Sequence, residues 1–218
     1  MMNFQQNSGS NSDDLNNNLL PKFSLEILPD APAESASTRL SSEEQWRQDR
    51  QAVILFSQNG QWEEALNRLK TLSTKYRNHH LYSALAQRVW VALKWQVPAS
   101  EAVLALFHLL NTLGAKHELA GPLAALAHLL AKHRTPNHPD RELALGQAQQ
   151  MFSLICHHQL IESDEAFQAW VQENQLDQPD FYIPQIMNGL EVMVGEDWWI
   201  DREALQKSLE HDAIREKN

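Results

Sequence analysis

Apolar residues recur at helical spacing through most of the chain after about residue 40. The stretch SSEEQWRQDRQAVILFSQNG shows the pattern best: Ser41 or Ser42 precedes glutamates, apolar positions return about once per turn, and Asn-Gly follows. A serine with Glu in the first turn is typical of a helix start, and Asn-Gly of its end. Runs with strict two-residue alternation are few, and there are only 7 glycines. The pattern predicts an all-α protein.

The same periodicity predicts the order of the remaining helices. Long helices are expected over Trp62 to about Tyr76, His80 to Trp95, Ser100 to Leu113, Glu118 to His133, and Pro139 to about His158. Beyond them, ESDEAFQAWVQEN predicts a short helix, and QPDFYIPQIMNGLEVMVG a loop leading into another. The stretch DWWIDREALQKSLEHD predicts a charged C-terminal helix. Short connections between the long helices favour antiparallel hairpins.

Composition divides the chain into three parts. Residues 1–39 are rich in Asn, Ser, Gln and Asp, so we expect a disordered or extended N-terminal tail. Within this tail, LLPKFSLEIL alternates apolar and polar residues and could add a short strand to a partner. Residues 40–201 form the expected helical domain, and residues 202–218 a charged C-terminal helix or tail.

The turn between the first two predicted helices has a distinctive sequence. Gly60 ends one helix, the aromatic Trp62 opens the next, and the small Ala65 follows one turn later. This arrangement resembles the turn of a tetratricopeptide repeat, over roughly Trp46 to His79. The resemblance implies two antiparallel helices in close contact at Ala65.

The next two hairpins match the repeat less closely. Ala102 and Ala144 are plausible equivalents of Ala65, but the spacings are 37 and 42 residues. Both turns contain proline (WQVPASEA and NHPDRELA) instead of Gly-x-aromatic. Two architectures stay open: a degenerate tetratricopeptide-like array of three hairpins, or an irregular helical bundle with one repeat-like hairpin.

The resemblance also implies a groove. Fitting the first hairpin to the repeat puts four side chains of its first helix on the concave side: Arg47, Arg50, Ile54 and Ser57. Analogous placement on the second hairpin adds Gln87, Val91 and Lys94. Cationic and amide donors of this kind suit the carboxylates of an acidic protein segment.

Charge is distributed unevenly along the chain, whose net charge is -10. Residues 1–45 carry 2 basic and 7 acidic side chains, residues 46–159 carry 12 and 7, and residues 160–218 carry 4 and 14. Chance surface composition can produce this asymmetry. The alternatives are an acidic end that folds back on a basic array, or a basic face that binds an acidic partner.

Signatures of catalysis or metal binding are weak. His128 and His133 are five residues apart, whereas a metal pair on one helix face is spaced by three or four. The single cysteine, Cys156, lies among apolar residues and is interpreted as a buried structural thiol. No glycine-rich phosphate loop occurs. We therefore expect no metal site, no cofactor and no catalytic residue.

Two further features were weighed as binding surfaces. The paired tryptophans in GEDWWIDREAL favour a cap on the helical core, with an exposed recognition surface as the alternative. Nucleic-acid binding is disfavoured because the basic residues of the middle segment are spaced out and the chain is acidic. These basic residues are Arg47, Arg50, Arg88, Lys94, Lys116, Lys132 and Arg134.

No membrane insertion is expected, because the longest apolar stretch, around Leu119 to Ala131, contains Pro122 and His128 and is too short. The N-terminus lacks the basic and apolar regions of a signal peptide, so a cytoplasmic location is expected. The sequence favours a non-enzymatic protein–protein interaction module, an adaptor or chaperone-like protein. The alternative is an all-α structural subunit that uses convex surfaces and tails, and an enzyme without a recognisable motif comes third.

Overall fold

A computed structural model shows the fold of the chain and describes residues 41–95, 97–133 and 139–215. This part contains nine α-helices and no strand, which confirms the predicted all-α class. The tail predicted for residues 1–39 lies outside the described residues. The helices are α1 (Ser42–Gln58), α2 (Trp62–Lys75), α3 (Leu81–Lys94), α4 (Ala99–Leu113), α5 (Ala120–His133), α6 (Arg141–Gln159), α7 (Asp164–Glu173), α8 (Pro179–Val194) and α9 (Arg202–Arg215).

The first six helices form three hairpins, α1–α2, α3–α4 and α5–α6, and each hairpin packs on the next. Contacts join α2 to α3 and α4 to both α5 and α6, so packing is continuous from α1 to α6. This arrangement is compatible with a helical repeat. Short connections between consecutive helices make them antiparallel neighbours, as the sequence predicted.

Local chemistry sets the ends of the first hairpin. Ser41 caps α1: its hydroxyl accepts from the Glu44 amide, and the Glu44 carboxylate accepts from the Ser41 amide, at 3.2 and 2.8 Å. Reciprocal bonds of this kind satisfy two amides that the helix leaves unpaired. Gly60 follows α1 with φ of 71°, a left-handed conformation that suits glycine. The predicted helix start and stop are confirmed.

Small residues lie where the hairpins are in close contact. Ala65, Ala102 and Ala144 are each at most 1% exposed. The core around them is dominated by Ala and Leu. Burial of the three alanines agrees with their predicted place between packed helices.

One prediction needs correction in the C-terminal third. The stretch from Gln178 to Gly195, expected to begin as a loop, is helical almost throughout, as α8. Pro179 stands at the first turn, where its missing N–H costs nothing. Pro184 lies only five residues further, so it removes a single early hydrogen bond, and burial of Tyr182, Ile186 and Leu190 compensates. A proline pair therefore did not mark a loop here.

The C-terminal elements pack on the first helices of the hairpins. Helix α8 contacts α3 and α5, and α9 contacts α1. The connection between α8 and α9 buries Trp199 and Ile200, which are 2% and 4% exposed. Among the described helices, none is long and apolar enough to cross a membrane.

Candidate functional site

The seven residues predicted for the groove lie on α1 and α3, and not all of them meet the connection after α8. Three of them, Arg50, Ser57 and Gln87, hydrogen-bond to the segment Asp197–Asp201, which we call the resident segment. Their role in binding a separate partner stays a prediction.

Gln87 hydrogen-bonds to main-chain groups of the resident segment. Its side chain is fully buried on α3. The amide Nε2 donates to the Asp197 carbonyl oxygen at 3.0 Å, and Oε1 accepts from the amides of Trp199 and Ile200 at 2.7 and 3.2 Å. A buried amide side chain is thus matched by three main-chain groups, which satisfies both sides of the contact.

Ser57 continues this recognition from α1. Its hydroxyl is buried and accepts from the Asp201 amide at 3.2 Å. The hydroxyl hydrogen has two carbonyl acceptors, Ile54 at 2.9 Å and Trp199 at 3.3 Å. Ser57 and Gln87 therefore hold the main chain from both first helices.

Asp197 provides the charged contact of the resident segment. Arg50 Nη2 donates to its Oδ1 at 2.8 Å, and Trp199 Nε1 donates to the same oxygen at 2.8 Å. His80 Nδ1 lies 2.9 Å from Oδ2. Because an ionised carboxylate can only accept, this contact places a proton on His80 Nδ1. Both carboxylate oxygens are bonded, one by a cation.

Aromatic rings enclose these polar contacts. The Trp46 ring stacks on His80, with centroids 4.6 Å apart, and Trp199 meets Trp46 edge-on at 5.9 Å. The Arg50 guanidinium lies 5.4 Å from the Trp199 ring centroid and 5.8 Å from that of Trp46. Cations are attracted to the faces of such rings, so Trp46 and Trp199 help to position the Arg50 guanidinium beside Asp197.

The other four predicted residues lie apart from these bonds. Val91 is fully buried, and Ile54 is half-buried against the core. Lys94 is exposed on α3, and Arg47 is exposed and paired with Glu43 on α1. Only Arg47 and Lys94 of this set present a cation to solvent.

A cationic cavity adjoins the Asp197 contact. It measures about 890 Å³ and lies between the start of α1 and the connection from α2 to α3. Among the described residues, its lining includes the cations Arg47, Arg50, Lys75 and Arg77, with Glu43 as the one carboxylate, and also Trp46, His79 and His80. Positive charge therefore continues outward from the end of the resident segment.

Sequence reasoning missed three members of the site: His80, Asp197 and Trp199. His80 was placed only as a helix start, and the paired tryptophans were treated together. They separate in the structure: Trp199 enters the site, whereas Trp198 packs edge-on against Trp90, with centroids 5.5 Å apart. The available signal was charge, because an acidic end that folds back on a basic array was one of the stated alternatives.

The described residues include histidines, carboxylates and one cysteine. Among them no group of three or more His, Cys, Asp or Glu side chains could hold a metal ion. Cys156 is half-buried on α6 rather than fully buried, and burial raises the pKa of its thiol, which opposes thiolate formation.

Other hollows lie elsewhere on the described surface, and two of them include apolar side chains. One, of about 750 Å³, is lined by α5 to α8 and includes the rings of Phe152, Phe167 and Tyr182. The second, of about 520 Å³, includes Phe181 and Val192 of α8, which are 42% and 73% exposed. These apolar side chains offer contact surfaces away from the resident segment.

Comparison with known proteins identifies no relative: no family model, no curated protein and no solved structure matches the chain. The function must therefore be argued from the site itself.

Proposed function

We propose that this protein is a non-enzymatic interaction module, an adaptor or chaperone-like protein of tetratricopeptide-like build. It binds an acidic protein segment on the faces of α1 and α3. The observation that supports the proposal is the set of bonds from Arg50, Ser57 and Gln87 to the resident segment. Two of these side chains bond main-chain groups and the third a carboxylate, which is how extended peptides are recognised.

The cationic cavity supports an acidic partner in particular. It holds four Lys or Arg side chains against one carboxylate, beside the point where Asp197 meets Arg50. Exposed cations attract an acidic segment over several ångströms and are screened by salt. Binding at this surface should therefore weaken between low and moderate ionic strength.

Charge reversal tests this function. Arg50→Glu combined with Lys94→Glu should weaken capture of the partner from native cells, while Lys116→Glu, an exposed reversal between α4 and α5, serves as the matched control. The expected result is one stoichiometric protein, identified by mass spectrometry. It should be held by the unmodified chain and the control, lost by the double variant, and released by salt.

The folded state of each variant is checked by thermal melting, because Arg50→Glu also repels Asp197. If the double variant unfolds, Arg47→Glu with Lys94→Glu repeats the test at two exposed positions. A partner retained equally by all the folded variants would contradict binding at this face.

A second candidate function is a structural subunit of a larger assembly. The observation that favours it is the exposure of Phe181 and Val192 beside the hollow on α8, away from the resident segment. Exposed apolar side chains grouped at a hollow are typical of protein contacts. Phe181→Ser with Val192→Ser would disrupt such a contact and leave binding of the acidic segment unchanged.

A further inference from the structure

The resident segment occupies its site as a peptide ligand would. It is not helical, it hydrogen-bonds to two helices, and it contributes one carboxylate, one buried tryptophan and a run of main-chain groups. Such contacts divide into two kinds. Main-chain bonds accept any sequence, whereas the carboxylate and the ring select particular residues.

Two positions of the resident segment make contacts that only particular side chains can make. Asp197 is bonded on both oxygens, by Arg50 and His80 from the hairpins and by Trp199 from within the segment. Trp199 is 2% exposed and touches Trp46, His80 and Arg50. Tryptophan and arginine are enriched among the residues that provide most of the binding energy of a contact.

The remaining positions are selected more loosely. Trp198 lies against Trp90 and Arg202, outside this set of bonds. Ile200 is buried by apolar contact. The main-chain amide of Asp201 donates to Ser57, and the Asp201 carboxylate caps α9. The segment therefore defines a pattern: Asp, any residue, Trp and an apolar residue.

We propose that Arg50, Ser57, His80 and Gln87 recognise a partner segment with this pattern, and that the resident segment competes for the same site. The proposal rests on the proposed function and names its partner. The resident segment is tethered, so its effective concentration is on the order of millimolar. A partner is then bound only in the fraction of molecules whose site is open.

A labelled peptide of residues 194–204, added to the full-length chain, tests this competition by fluorescence anisotropy. Asp197→Asn in the chain removes the charge of the resident segment and leaves Arg50 and His80 in place. The open fraction should rise, and the peptide should bind about tenfold more tightly than to the unmodified chain, because apparent affinity follows that fraction. Glu196→Gln is the matched control: it makes the same charge change at the exposed neighbouring residue and should leave affinity unchanged.

The peptide itself supplies the test of specificity. A peptide that carries Asp197→Asn should bind the Asp197→Asn chain about tenfold more weakly than the unaltered peptide does, because a charge-assisted pair is lost. Trp199→Phe in the chain is a second way to weaken the resident segment while keeping an aromatic ring. It should also tighten binding of the unaltered peptide.

Equal affinity of the unaltered peptide for the unmodified, Asp197→Asn and Trp199→Phe chains would overturn the competition. Equal affinity of the two peptides would overturn the pattern. In either case, a partner that is still lost on charge reversal of Arg50 and Lys94 would show that the proposed function stands without this motif.

Discussion

Arg88 is a buried charged residue: its side chain, on α3, is 1% exposed. Its Nη1 donates to His108 Nδ1 at 2.8 Å, and Glu101 lies 4.0 Å from Nη2. Because arginine can only donate, the bonded Nδ1 of His108 carries no proton. Burial, and then the charges of Arg88, Lys70 and Arg77, lower the pKa of His108, while Glu101 raises it.

This pKa shift gives stability a defined pH dependence. Unfolded His108, with its ordinary pKa near 6.5, takes up a proton at a higher pH than the folded form. Stability from this group is therefore complete above about pH 6.5 and is lost as the pH falls toward the lower folded pKa. The free energy of urea unfolding should drop less between pH 7.5 and 5.5 in His108→Gln than in the unmodified chain.

His157→Gln, at an exposed position on α6, is the control for loss of a histidine. It should leave the pH-dependent drop as large as in the unmodified chain. A drop of the same size in His108→Gln would mean that His108 does not stay neutral beside Arg88.

Helices were predictable where their signals are local. The Ser41 cap, the Gly60 stop and the small residue at Ala65 each depend on a few neighbouring residues, so the first hairpin could be predicted from the sequence. Helix α8 did not, because its two prolines look like a loop when read locally. Its helical state depends on burial against α3 and α5, which no local pattern records.

Close packing of α8 predicts a contrast between two glycines that lie inside helices. At Gly146 of α6, an added Cβ meets nothing within 4 Å, so Gly146→Ala should stabilise the protein by about 0.5–1 kcal/mol. At Gly189 of α8, the Cβ would lie 2.5 Å from Leu119 Cδ1. Because this methyl group ends a flexible side chain and can shift, the cost should be at the low end of overpacking, and Gly189→Ala should be less stable than Gly146→Ala by about 1 kcal/mol.

Chemical denaturation of the two alanine variants, beside the unmodified chain, measures this difference. Since both substitutions gain the same helix propensity, their comparison isolates the contact with Leu119. Equal stabilisation by the two would mean that α8 does not approach Leu119 so closely.

In the molecule as described, the resident segment already occupies the faces of α1 and α3. Arg50, Ser57 and Gln87 were placed on a common face by the resemblance of the first hairpin to a tetratricopeptide repeat, with analogous placement on the second hairpin. Their contacts could not be predicted, because Gln87 and Asp197 are 110 positions apart and no spacing rule links them. Only the acidic charge of the C-terminal part indicated that it could fold back.

Hydrogen exchange of the full-length chain tests most directly whether the resident segment is a separable occupant. The amides of Trp199, Ile200 and Asp201 bond to Gln87 and Ser57, so their exchange reports opening of the segment. The account predicts that these amides open at a lower free energy than the core amides of α3. It also predicts that Asp197→Asn lowers the opening free energy of these three amides and leaves that of the α3 amides unchanged. Exchange of both sets at one common free energy, in both proteins, would contradict it, because the segment would then open only when the whole domain unfolds.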